Sequence, residues 1–129
     1  MKWLITATLL LLTTTAFAAD WTWDAADYAR EAVALGLTVI DWGQTRDIRH
    51  HAGMKELNPI LGREPSDGKV NGYFTTVMIL HPLITAALPK KATMFGVDLS
   101  PRTAWQYFYI GVESTAISSN WRGGLRMRF

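Results

Sequence analysis

Cysteine is absent from the chain, which removes disulfides, thiolate metal sites and cysteine nucleophiles at once. Charge is sparse as well: 19% of residues are Asp, Glu, Lys or Arg, against about 25% in typical globular proteins. The 13 Lys and Arg residues exceed the 11 carboxylates by only two, and they are dispersed along the chain. A nucleic-acid partner needs basic residues clustered on one face, so none is expected. Internal repeats and low-complexity segments are lacking.

Signatures of catalysis are missing too. No G-x-S-x-G elbow surrounds Ser114, Ser118 or Ser119, and no H-E-x-x-H or paired H-x-H arrangement occurs. Gly36, Gly43 and Gly53 form no phosphate-cradling pattern. His50, His51, Glu56 and Asp41 bring nitrogen and oxygen donors close in sequence, but neighbouring helical residues diverge by about 100°. Neither a metal nor a cofactor is expected, and the role is read as non-catalytic.

What the chain does have is apolar sequence, at 49% of 129 residues, enough for one domain. Lys2 precedes an apolar run from Leu4 to Phe17, and Ala16-Phe17-Ala18 is a small-x-small site. That is the form of a Sec signal peptide. Cleavage after Ala18 leaves 19–129 as a single helical domain; an uncleaved run would add a fourth helix.

Three further segments read as helices, about 25–45, 70–88 and 104–119. Val70 to Leu88 is 19 residues without a carboxylate, lysine or arginine, close to the roughly 20 apolar residues that cross a bilayer. Trp21, Trp23, Trp42, Trp105 and Trp121 fall at or just beyond segment ends, and Tyr73 near the start of the second, as interfacial aromatics do. With the mature N-terminus outside, the inner side holds Arg46, Arg49, Lys55, Arg63, Lys69, Arg122, Arg126 and Arg128. The outer side holds Arg30, Lys90, Lys91 and Arg102, so the bias of eight to four follows the positive-inside rule. The fold expected is therefore all-α, a small membrane bundle of three helices after the signal sequence. Its place is the inner membrane by the Sec route, with the periplasm or outer membrane as alternatives. Lipid bilayer is the expected partner, joined by a membrane protein or a second copy of the chain.

Polar residues inside these segments are the candidate site. A charge at mid-membrane costs about 2.5–3.5 kcal/mol on insertion scales and is driven to face the bundle interior. Glu113 and His81 are so placed, and a hydrogen bond between them is expected, with a proton relay or ion site as the functional alternative. Pro82 leaves the Met78 carbonyl without its helical partner. Gln106, Glu113 and Asn120, seven apart, share one helical stripe; Asp41, Gln44, Thr45 and Ile48 share another face. Between the first two segments, Asn58-Pro59-Ile60-Leu61-Gly62 is a tight turn: proline holds Asn58 extended, Ile60-Leu61 enters the bundle mouth, and Gly62 turns the chain out. Asp41, Gln44, Thr45, Asn58 and Asn120 are expected to form a polar cluster under that cap. The ending, with Leu125, Met127 and Phe129 alternating with Arg126 and Arg128, has the look of a β-barrel's closing strand. The repeated alternating segments of a barrel are absent upstream.

The set Asp41-Trp42-Gly43-Gln44-Thr45, Glu56-Leu57-Asn58-Pro59-Ile60-Leu61-Gly62, Pro65-Ser66, Val70, Tyr73-Phe74, Glu113 and Asn120 resembles a group of small bacteriophage and proteobacterial membrane proteins. These carry a D-x-x-Q-T helix followed by E-x-N-P-I-L-G. Leu57 departs from the pattern, which favours a small or polar residue there. The resemblance implies a membrane location and a phage context, such as lysis or exclusion of competing phage, and supplies no catalytic residues. Taken together, the chain reads as a non-catalytic accessory protein of the cell envelope or inner membrane. The alternatives are a membrane-embedded enzyme or ion- or proton-handling protein using His81, Glu113 and Asp41, and a soluble periplasmic helical protein.

Overall fold

The computed structural model describes residues 19–129; the signal-peptide reading falls on 1–18, outside the described residues. Helix α1, Ala25–Asp47, starts where Asp24 and Asp27 close a reciprocal cap: Asp27 N–H donates to Asp24 (2.8 Å) and Asp24 N–H to Asp27 (3.2 Å). A 3₁₀ turn, Ile48–His50, follows it. Helix α2, Asp67–Ala87, begins behind Ser66, whose hydroxyl accepts from Lys69 N–H, and stops before Pro89. Helix α3, Pro101–Arg122, uses Pro101 in its first turn, where a missing N–H costs nothing.

The helices run up, down and up. Asp27, Glu31 and Asp41 of α1 meet Arg102, Gln106 and Asn120 of α3 in the same order, so α1 and α3 are parallel. Helix α2 returns between them, with His81 opposite Glu31 and Asn71 opposite Trp42 and Arg46. Contact is most extensive between α1 and α3 and least between α2 and α3.

Two corrections to the expected fold follow. First, the chain is not all-α. The α2–α3 connection, expected to be loop, contains strands β1 (Ala92–Met94) and β2 (Val97–Leu99), paired antiparallel. The turn places Phe95 at φ 52° and Gly96 at φ 78°, the doubly left-handed geometry that suits the twist of a two-residue hairpin. Asp20 extends the pairing by exchanging backbone bonds with Lys90 and Lys91 (2.7 and 3.0 Å). Second, the membrane bundle is overturned: no helix among the described residues is long and apolar enough to cross a membrane. Length is not the obstacle, since the 21 residues of α2 reach about 31 Å. Apolarity is: Asn71, Thr75, Thr76, His81, Pro82 and Thr85 dilute α2, while α1 and α3 carry ionisable groups along their lengths.

The interior reflects this. Among the described residues six apolar ones are buried, against eleven polar or charged ones, and Arg102, Gln106 and Asp27 have no exposed surface at all. The apolar cluster is small: Leu61, Val70 and Phe74, flanked by Trp42 and Tyr73. Large apolar side chains lie outside instead, including Ile79, Leu80, Leu83 and Ile84 of α2 and Tyr107, Phe108 and Val112 of α3.

Candidate functional site

Two polar clusters occupy opposite ends of the bundle. At the end nearest the hairpin, each buried charge has a partner. Arg102 donates to Asp27 Oδ2 (3.2 Å) and to the carbonyls of Thr22, Trp21 and Leu88 (2.7, 3.2 and 3.0 Å), and its guanidinium lies 4.7 Å from the Trp23 ring centre. Arg30 pairs with Asp27 and donates to Gln106 Oε1 (2.8 Å). Gln106 in turn donates to the Asp27 carbonyl and to Glu31 Oε2 (3.0 and 3.1 Å). His81 belongs here: its Nδ1 lies 2.8 Å from Glu31 Oε1, and its ring stacks on Trp105 and meets Tyr109 at a tilt. A carboxylate only accepts, so Nδ1 carries the hydrogen.

The expected His81–Glu113 bond is therefore replaced by His81–Glu31. The two residues are fifty apart in sequence, and no local pattern connects them. Arg102, assigned above to the outer side of the membrane, is a fully buried member of the cluster. Lys90 alone of that connection makes a surface pair, with Asp24 (2.6 Å), and holds the Asp24 carboxyl down at about 2.

At the other end lies a cavity of about 370 Å³ between α1, α3 and the Glu56–Gly62 loop. Asp41, Thr45, Asn58, Glu113 and Asn120, five of the seven candidates, line it. The shared faces put them there: Gln106, Glu113 and Asn120 all turn toward α1, and Asn120 donates to Asp41 Oδ1 (2.9 Å). Gln44 is buried without lining the cavity, and its Oε1 has no hydrogen-bond partner among the described residues. His81 is remote from it.

The loop is built as a cap. Asn58 carbonyl accepts from Leu61 and Gly62 N–H (both 3.1 Å), and its side chain accepts from Ile60 N–H (3.0 Å). Glu56 accepts from Asn58 N–H (2.7 Å), and Gly62 takes φ 77° to leave the turn. Leu61 enters the apolar cluster at 2% exposure, whereas Ile60, expected inside, is 68% exposed. Leu57 faces outward at 90%. Leu125 seals the base, and the chain beyond it lies along α1: Arg126 N–H donates to Asp47, Arg128 N–H to the Gly43 carbonyl, and Phe129 meets Trp42 edge-on. The alternating ending is thus a strap over the first helix.

Glu56 and Tyr73, neither of them among the candidate site residues, also line the cavity. Burial, together with nearby Glu113 and Glu56, pushes the Asp41 carboxyl up to about 7. Burial raises Glu113 too, although a hydrogen bond with Tyr109 works against it. Tyr109 also bonds to Thr38 (2.9 Å), linking the two clusters through the bundle. Among the described residues, no group of three or more His, Asp or Glu side chains is placed to hold a metal ion. Neither a protein-family model, nor a curated protein, nor a solved structure matches the chain.

Proposed function

We propose that the chain is a non-catalytic accessory protein of the cell envelope that associates with lipid through the outer faces of its helices. The observation that supports this is the inverted distribution of polarity: charged and amide side chains fill the interior, while Ile79, Leu80, Leu83 and Ile84 face outward on α2 and Tyr107, Phe108 and Val112 on α3. An aqueous chain gains by burying such residues, and extended apolar exposure marks an interaction surface. Faces on two helices suit a lipid environment better than one compact patch would. The resemblance to small phage and proteobacterial membrane proteins points the same way.

Fractionation tests the proposal. Wild-type protein is expected to sediment with the membrane fraction and to float with lipid vesicles. Ile79→Glu with Leu83→Glu, both outward at 56% and 59% exposure, should release it while its helical circular dichroism persists. Release of the wild type by osmotic shock would defeat the lipid reading, and co-release in a complex would assign the apolar faces to a protein partner or a second copy. A second reading, ion or proton handling, is favoured by one observation: Asp41 and Glu113 share the cavity. His81 no longer belongs to it, since Glu31 holds that side chain in the other cluster.

A further inference from the structure

Carboxylates elsewhere in the interior face arginine or histidine side chains. Asp27 has Arg30 and Arg102, Glu31 has His81, and Asp47 has His51 and Arg128. Asp41, Glu56 and Glu113 line one cavity, and among the described residues no Lys, Arg or His forms an ion pair with any of them. Lys55 stands exposed at the rim. A second observation bears on the cavity: Glu113, which lines it, is only 8% exposed, and its buried Oε2 has no hydrogen-bond partner among the described residues. Unpaired charge in a poorly hydrated site is costly until a counter-charge arrives.

The shape narrows the counter-charge. A dehydrated metal ion needs oxygen donors converging at about 2.0–2.6 Å, and no such group of acidic or histidine side chains exists among the described residues. About 370 Å³ lies instead in the range of small organic ligands. The walls are mixed, with Leu61, Phe74 and Val112 beside the carboxylates, and Tyr73 adds a second aromatic face. Aromatic faces attract ammonium groups, and apolar walls accommodate a short alkyl body.

We propose that this cavity binds a small organic cation carrying a primary ammonium, held by Asp41, Glu56 and Glu113 with its alkyl part against Phe74 and Leu61. The ammonium donates to the carboxylates that line the cavity. The same ammonium occurs on free short-chain amines and on ethanolamine lipid headgroups. Three carboxylates disfavour the headgroup's phosphate, so a free amine is the expected source. This proposal rests on the cavity and not on lipid association. Occupancy should weaken as pH falls through about 7 and Asp41 takes up its proton; Glu56, Glu113, the Tyr73 hydroxyl and the rim Lys55 are the other ionisable groups facing the ligand.

Calorimetric titration of the purified full-length protein with 1,5-diaminopentane, with O-phosphoethanolamine and with magnesium chloride tests it. The expected result is one diamine bound per chain, weakened at least about tenfold by Asp41→Asn and by Glu113→Gln, and unchanged by Asp98→Asn on the exposed hairpin. Binding of phosphoethanolamine with the same dependence would support the ammonium site and assign it to a headgroup. Should the two buried variants fail to fold, Glu56→Gln in the surface loop carries the same prediction. Absence of amine binding by folded wild type, saturation by magnesium alone, or amine binding indifferent to these variants would overturn the proposal.

Discussion

Asp27 and Asp41 are both aspartates of α1 that face α3, one turned toward an arginine and the other toward an asparagine. Replacing Arg102 by Leu would leave Asp27 buried with Arg30 as its sole cationic partner. Loss of one member of a buried pair costs about 3–5 kcal/mol, and thermal unfolding of the variant should show a loss of that size. Asp41 behaves oppositely. Its folded carboxyl titrates near 7 against an ordinary 3.8, so the native state holds a proton that the unfolded chain has released. Its contribution to stability is whole below pH about 3.8 and is lost as pH rises through about 7. Asp41→Asn should therefore be the more stable protein at alkaline pH, by about 2–4 kcal/mol. The gap should close on acidification, as unfolding of both proteins across this range would show.

The three helices were legible as elements because each carries an apolar run with turn residues at its ends. Their caps extend them beyond the apolar limits: Ser66 starts α2 at Asp67, and Pro101 starts α3 three residues before the expected position. The hairpin was not legible, since strands of three residues have no measurable alternation and Phe95-Gly96 is not a customary turn pair. In the Asn58–Gly62 turn the two apolar neighbours divide sharply. Leu61→Ala removes a side chain from the only buried apolar cluster among the described residues and should cost about 2–4 kcal/mol. Ile60→Ala, at 68% exposure, should fall within about 0.5 kcal/mol of wild type. Denaturation followed through the fluorescence of Trp42, which stacks on Phe74, reads both.

Across the whole molecule, the cavity was easier to anticipate than the opposite cluster. Asp41, Thr45, Glu113 and Asn120 repeat at helical spacing, so one helix face and one stripe foretell their meeting. Arg102 and Gln106 of α3 satisfy Asp27 and Glu31 of α1 across parallel helices, and nothing local marks Arg102 as an inward residue. Amide hydrogen exchange should show α1 and α3 opening together as the slowest unit and 92–99 exchanging fast, because the hairpin's surface is largely exposed. The parallel pairing of α1 with α3 also has a temporal consequence. Its side-chain bonds join residues 71 to 79 positions apart, so Asp27, Glu31 and Asp41 emerge from the ribosome long before the helix that satisfies them. At about 5–20 residues per second, α1 waits several seconds with its acidic face uncovered. Productive folding is thus a race between completion of the last helix and capture of that face by water, a chaperone or another nascent chain.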